Sequence, residues 1–101
     1  MASIEETPIP EAFREDVRRA VRILQEGGCS EVFVFGSVAT GEVRGWSDLD
    51  LAVRGCPPDR FFHLFGKLLM ELEHSVDLVD LDSRDPFVDH LGVHGELLRV
   101  A

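Results

Sequence analysis

The spacing of apolar residues predicts an amphipathic helix near the start of this chain. Apolar side chains recur every three or four residues from Ile9 to Leu24, as they do on one face of a helix. Proline and glutamate at 10–11 provide the chemistry of a helix start, and the glycine pair at 27–28 provides a stop. Residues 1–6 are therefore expected to form a frayed terminus.

A second helix is predicted to follow the Pro-Pro-Asp sequence at 57–59. Its apolar stripe is broad enough to cover a sheet. The residues expected on its core face are Phe61, Phe65, Leu68 and Leu72, widened by Phe62 and Leu69. A short third helix is predicted around residues 87–91, where His90 and His94 are interpreted as surface histidines rather than zinc ligands.

Short apolar runs between the helices have the length of strands. Residues 32–35 are continuously apolar, which is typical of a strand buried on both faces. Further strands are predicted at 49–53 and 76–81, and a last short one at 97–100. One helical turn is possible in the loop after the first strand, at 38–40.

This order of elements predicts an α/β (α+β) fold with a small mixed sheet backed by helices. At 101 residues the chain is expected to form one domain spanning 1–101. It contains no run of about 20 apolar residues and no basic-then-apolar leader, so a cytoplasmic protein without a membrane segment is expected. Cys29 and Cys56 are then interpreted as reduced, partly buried thiols.

The charge balance narrows the class of partner. The chain has 19 acidic and 10 basic residues, a formal net charge of −9. Binding along a nucleic-acid backbone needs clustered lysine and arginine, so direct binding of DNA or RNA is not expected. A metal-bound nucleotide or a basic protein remains compatible with this charge.

Two carboxylates at the start of the second predicted strand carry the candidate chemistry. Asp48 and Asp50 are two residues apart, so a strand projects them from the same face. Neighbouring carboxylates at the edge of a core repel each other unless a cation lies between them, and Mg2+ prefers such oxygen ligands. Asp77 interrupts the third predicted strand and is the expected third ligand. Asp80, an odd number of residues from Asp77, should point to the other face.

The glycine-serine pair at the end of the first predicted strand suits phosphate binding. Gly36 lets a backbone approach closely, and Ser37 offers a hydroxyl. Nucleotidyl transfer needs such donors together with carboxylates that hold divalent ions. The alternatives are structural: Ser37 as a helix N-cap and Asp48 as a turn residue.

The string from Phe35 to Leu51, Phe-Gly-Ser-x-Ala-x-Gly-x-x-Arg-x-x-Ser-Asp-x-Asp-Leu, resembles the signature of the polymerase-beta-like nucleotidyltransferase superfamily. It is most similar to the minimal nucleotidyltransferase (MNT) branch. The resemblance implies Mg2+-dependent binding of ATP, with Asp77 as the third metal ligand. The motif residues it implicates are Gly36, Ser37, Arg44, Ser47, Asp48 and Asp50, with Arg44 as a contact of the triphosphate.

The same resemblance implies a partner. MNT proteins of this size often accompany a helical HEPN-type protein in a toxin–antitoxin pair, where the MNT protein adds AMP to a tyrosine of the toxin. This chain has no tyrosine, so such an acceptor must lie on another molecule. Two alternatives stay open: a non-catalytic antitoxin that acts by docking, and nucleotidyl transfer to a small molecule with help from a second subunit or an oligomer.

Overall fold

The computed structural model describes residues 4–43, 48–83, 86 and 97–101. Arg44, Ser47, the helix predicted around 87–91 and its two histidines lie outside these residues. The helices are α1 (Glu11–Glu26), α2 (Ser37–Thr40) and α3 (Phe61–Glu71), and the strands are β1 (Glu31–Phe35), β2 (Leu49–Arg54), β3 (Val76–Asp80) and β4 (Leu98–Arg99). The helical turn expected at 38–40 is confirmed as α2.

The N-terminal segment differs from the expected frayed end. Ile4–Glu6 forms a turn of 3-10 helix, and Ile4 packs against the core. Thr7 closes this turn, because its hydroxyl donates a hydrogen bond of 2.6 Å to the Ile4 carbonyl oxygen. Arg18 on α1 pairs with Glu5. Contacts with the core and with α1 therefore hold residues 4–6, for which the sequence pattern predicted no regular structure.

The strands form the predicted mixed sheet, in the order β3-β2-β1-β4. β1 runs antiparallel to both β2 and β4, whereas β2 and β3 are parallel. The α3 helix makes the connection between the two parallel strands, as a parallel pair requires. The register of that pair places Asp50 beside Asp77.

The two faces of the sheet bury different clusters. The helix-facing cluster joins α1, α2 and α3 to alternate strand residues such as Val32, Val34 and Leu51. Phe33, Phe35 and Ala52 form a second, smaller cluster with Leu81 on the opposite face. Burial on both faces explains why β1 is apolar without alternation, as predicted.

The core face of α3 is narrower than predicted. Leu64, Leu68 and Leu72 are buried at four-residue spacing, and Phe61 and Phe65 are half-buried beside them. The predicted widening was wrong, because Phe62 is 81% exposed and Leu69 is 57% exposed. These two residues lie seven apart, hence on one stripe, and that stripe is turned away from the sheet.

Cys29 and Cys56 are buried free thiols, which agrees with the prediction. They are neighbours at the end of the sheet where β1 begins and β2 ends. Burial, followed by the hydrogen bond with Cys56, raises the pKa of the Cys29 thiol to about 12. Among the described residues, no helix has both the length and the apolar character needed to cross a membrane.

Candidate active site

Asp48, Asp50 and Asp77 lie together at one end of the sheet, where β2 and β3 begin. Asp48 directly precedes β2, and Asp50 and Asp77 are adjacent in the parallel register. Leu49 and Leu51 belong to the helix-facing cluster, so Asp50 between them projects from the opposite face. The structure thus brings these three predicted carboxylates close to one another.

Asp80 lies on the other face of β3, as its odd spacing from Asp77 predicted. Its charge acts on Cys29, which belongs to the helix-facing cluster. One Asp80 side-chain oxygen accepts a 2.9 Å hydrogen bond from the backbone N–H of Asp82. Asp80 therefore closes a turn at the far end of the strand and takes no part in the candidate site.

The surroundings of Asp50 oppose its ionisation. Burial, followed by the negative charges of Asp77 and Asp48, raises the pKa of the Asp50 carboxyl to about 6. Within the described residues, no arginine or lysine forms an ion pair with Asp48, Asp50 or Asp77. Among its described residues, the site therefore concentrates negative charge without an ion pair to balance it.

Gly36 brings the backbone against this carboxylate. Its φ of 73° and ψ of −155° belong to a region that glycine alone adopts readily. A Cβ at this position would lie 2.5 Å from Oδ2 of Asp50, closer than atoms can approach without a shift. The chain therefore needs glycine here for two reasons, its backbone conformation and its contact with Asp50.

Ser37 is the first residue of α2 and follows this turn directly. The N-cap position belongs to Gly36 and has no side-chain cap, so the alternative of Ser37 as an N-cap is wrong. The Ser37 carbonyl oxygen accepts hydrogen bonds from the Glu42 N–H and the Thr40 hydroxyl. Its own hydroxyl makes no hydrogen bond with another described residue.

The oxygen ligands present suit a hard divalent cation such as Mg2+. Asp50 is half-buried, and Asp48 and Asp77 are exposed at the rim. Over the described ranges, no three acidic, histidine or cysteine side chains already stand at the separation of a complete metal site. One Asp77 oxygen also accepts the Leu78 N–H at 3.0 Å. The residue types and the concentrated charge fit such an ion.

A residue that the sequence analysis missed holds the start of β3 in place. Asp16 on α1 is 2% exposed. Its carboxylate accepts hydrogen bonds from the backbone N–H groups of Glu73 and His74, at 3.0 and 2.8 Å, and contacts Nδ1 of His74 at 2.8 Å. The His74 ring stacks on Phe13 with centroids 4.1 Å apart. An aspartate within the apolar stripe of α1 was the available signal for this contact.

This contact extends to both strands of the site. The residue after His74 is Ser75, whose carbonyl oxygen accepts a 2.8 Å hydrogen bond from the Leu49 N–H. Asp16 therefore fixes the segment from which Asp77 projects, and that segment fixes the first residue of β2. Hydrogen bonds of Asp16 and Ser75 thus connect α1 to the start of β3 and the start of β2.

Comparison with known proteins identifies the family of this chain. The family described as polymerase beta, nucleotidyltransferase matches residues 20–99, about four-fifths of the chain. No curated protein matches the chain in sequence.

Several solved structures have a fold similar to that of this chain. A crystal structure of a toxin–antitoxin with AMP-PNP is 26% identical, with a TM-score of 0.63, over 79% of this chain and 69% of that one. A mutant of the toxin–antitoxin MntA-HpeT is 26% identical with a TM-score of 0.61, over 81% and 70%. The MntA-HepT toxin–antitoxin, at 22% identity and a TM-score of 0.58 over 83% and 69%, shares the fold. The chain belongs to the polymerase beta nucleotidyltransferase family, and within it resembles the minimal nucleotidyltransferases.

Proposed function

We propose that the protein is a Mg2+-dependent nucleotidyltransferase that moves AMP from ATP onto a hydroxyl of a partner protein. The observation that supports this most directly is the contact of Gly36 with Asp50, beside Asp77 in register on the next strand. A backbone turn for phosphates and carboxylates for cations are the two parts that nucleotidyl transfer needs.

Each residue has a proposed role. Asp48 and Asp50 hold the ion that accompanies the triphosphate, and Asp77 completes a second ion site. The Gly36 turn and the Ser37 hydroxyl bind the β and γ phosphates, with Arg44 and Ser47 as further contacts. When bound, Mg2+ would neutralise charge on the phosphates and on the attacking oxygen.

The proposed reaction exchanges one phosphorus–oxygen bond for another. The acceptor oxygen bonds to the α phosphorus, the bond from that phosphorus to the oxygen leading to the β phosphate breaks, and pyrophosphate leaves. Asp77, at the exposed rim, accepts the hydroxyl proton. Asp50 must be ionised to bind a metal ion, and its raised pKa opposes ionisation. A nearby cation favours the loss of this proton.

The proposed partner is a helical toxin of the HEPN type, and the protein would act as its antitoxin. The similar solved structures are toxin–antitoxin complexes, and one of them contains AMP-PNP. The chain has no tyrosine of its own, so an AMP-tyrosine product would have to come from the partner. A net charge of −9 favours a basic partner surface.

The test is transfer of label from ATP to a candidate partner protein of the HEPN type. Purified chain, Mg2+, labelled ATP and the partner are incubated, and mass spectrometry locates the modified residue. Asp48→Asn combined with Asp50→Asn should abolish incorporation while leaving the circular dichroism spectrum unchanged. The matched control is Asp80→Asn, on the opposite face of β3, which should transfer at the wild-type rate.

The outcomes separate the alternatives. Undiminished incorporation by the double variant would overturn the proposed site. Full protection of cells by the double variant would instead identify an antitoxin that acts by docking. Label found only on an added small hydroxyl compound would change the acceptor and keep the enzyme.

A further inference from the structure

The exposed face of α3 carries an apolar surface that nothing in the described chain covers. Phe62 is 81% exposed, Leu69 57% and Met70 88%, and these are the large exposed hydrophobic residues of the described chain. A shallow groove of about 330 Å³ runs along this helix, lined by Phe62, His63, Gly66, Lys67 and Met70. Apolar residues gathered on one helix face in this way mark an interaction surface.

Gly66 lies at the centre of this surface. It is the middle residue of Phe61–Glu71, and a Cβ added there would meet nothing within 4 Å. Glycine inside a helix costs about 1 kcal/mol relative to alanine, and no contact within the described chain requires it here. A glycine on an exposed helix face permits another helix to approach closely.

We propose that this surface pairs α3 with α3 of a second copy of the chain, antiparallel, about a two-fold axis near Gly66. Phe62 and Met70 each lie four residues from Gly66, on either side. An antiparallel crossing at Gly66 therefore places Phe62 of each copy against Met70 of the other, and sulfur–aromatic contacts of this kind are favourable. Such a surface is complementary to itself, which is what a two-fold interface requires.

Charge also permits this pairing. Around α3, Asp59, Glu71 and Glu73 oppose Arg60 and Lys67, a local charge of −1, whereas the whole chain carries −9. Lys67 already approaches Glu71 at 4.0 Å on the same helix. The repulsion that a strongly acidic protein exerts on its own copies is thus weaker at this face than the charge of the whole chain suggests.

The position of α3 in the fold favours a second copy over a substrate protein. The helix packs on one face of the sheet, whereas Asp50 projects from the other. A partner that contacts only this face of α3 lies on the other side of the sheet from Asp50, and a two-fold pair leaves both sites open. The three exposed side chains offer roughly 400 Å² per copy, about 800 Å² in the pair, which corresponds to a weak and concentration-dependent dimer.

The first test is sedimentation equilibrium of the full chain from about 1 μM to about 1 mM, the range in which an interface of this size associates. The wild type should shift from monomer to dimer. Gly66→Glu and Gly66→Lys should each weaken the dimer at least about tenfold, because residue 66 faces its own copy across the axis. Both substitutes have a higher helix propensity than glycine, so the fold is retained.

Mixing supplies the decisive measurement. An equimolar mixture of Gly66→Glu and Gly66→Lys should form a mixed dimer, since opposite charges then meet across the axis. Arg22→Glu, on the exposed face of α1, is the charge-changing control and should associate like the wild type. Binding of ATP with Mg2+ should be unchanged in all of these variants, so this test is independent of the proposed enzymatic function.

Three results would overturn the proposal. They are a wild type that remains monomeric throughout, a dimer unaffected by either Gly66 variant, and a mixture that associates no better than its components. If the wild type stays monomeric and Gly66→Glu instead prevents assembly with the co-expressed toxin, the surface belongs to that partner.

Discussion

At the scale of the residue, the site depends on the contact between Gly36 and Asp50. The glycine adopts a conformation that other residues avoid, and its missing side chain leaves room for the carboxylate. In return, the carboxylate is held half-buried near two others, which raises its pKa to about 6. Backbone conformation and ionisation are therefore linked at this point of the chain.

Gly36→Ala tests that link. Because both the positive φ and the clash with Asp50 oppose a Cβ, we expect a loss of about 1–3 kcal/mol in the free energy of unfolding. Urea denaturation measures it. Adding Asp50→Ala removes the clash but not the backbone strain, so it should restore only the part of the lost stability that is due to the clash. A double variant no more stable than Gly36→Ala would show that the contact with Asp50 contributes nothing.

Asp50→Asn tests the ionisation. The pKa of Asp50 rises from 3.8 to about 6 on folding, so the folded chain holds the extra proton between these values. The free energy of unfolding of the wild type should therefore fall as pH rises through this window. We expect a fall of about 1 kcal/mol, less than the full pKa shift implies, because Asp50 is partly exposed to solvent.

The Asn variant should lack that fall and be more stable than the wild type at pH 7 without Mg2+. Denaturation midpoints measured from pH 4 to pH 7.5 check this. Parallel pH profiles for the two proteins would contradict the raised pKa.

At the scale of the element, α1 does more than cover the sheet. Its Asp16 binds the backbone of the residues that lead into β3. The next residue, Ser75, accepts a hydrogen bond from the Leu49 N–H and so connects this segment to β2. Burial opposes ionisation of Asp16, but the hydrogen bonds from Glu73 and His74 outweigh it, so its pKa is lowered. One side chain thus adds polar contacts between α1 and the segment that leads into β3, beside the apolar core that both share.

Asp16→Ala should cost about 3 kcal/mol, because it leaves two backbone N–H groups and an imidazole without their acceptor. Folding lowers the pKa of Asp16 below its ordinary value of 3.8. The stabilisation by the ionised carboxylate is therefore fully present above pH 3.8 and is lost as the pH falls below that value.

The difference between wild type and variant should therefore shrink in acid. Urea denaturation at pH 7 and pH 3 measures both effects. Glu15→Ala, which removes an exposed carboxylate one residue away, is the control and should change little. A loss that is equal at the two pH values would show that ionisation of Asp16 is not involved.

At the scale of the whole molecule, charge and architecture separate two surfaces. The sheet face with Asp50 and Asp77 faces away from the helices, whereas the apolar stripe of α3 lies on the helix side. Nucleotide chemistry and self-association are therefore proposed on opposite sides of one small fold. The proposed nucleotide site gathers three carboxylates on a chain whose net charge is −9, so we expect a cation to accompany the nucleotide.

Binding of ATP should accordingly stabilise the protein only with Mg2+. At a ligand concentration about 100-fold above Kd, the stabilisation should be about 2.7 kcal/mol, visible as a rise in Tm. EDTA should abolish it, as should Asp48→Asn with Asp50→Asn, whereas Asp80→Asn should respond like the wild type. An equal rise in Tm with ATP in EDTA would contradict the role of the carboxylates.

The sequence by itself determined what depends on local periodicity. A strand alternates its side chains whatever surrounds it, so the shared direction predicted for Asp48 and Asp50, and the opposite face of Asp80 from Asp77, depended on spacing once the strands were identified. The Gly-Ser and Asp-x-Asp pattern indicated the family, and the apolar runs predicted the strands of a mixed sheet.

Only the tertiary structure decided what depends on distance between elements. The raised pKa of Asp50 comes from burial, from Asp77 on the neighbouring strand and from Asp48, and the contact that excludes a side chain at position 36 comes from a carboxylate fourteen positions later. The role of Asp16 and the exposure of Phe62 and Leu69 likewise depend on how the helices rotate against the sheet. Helical spacing gives a stripe of apolar residues, but packing selects which part of that stripe is buried.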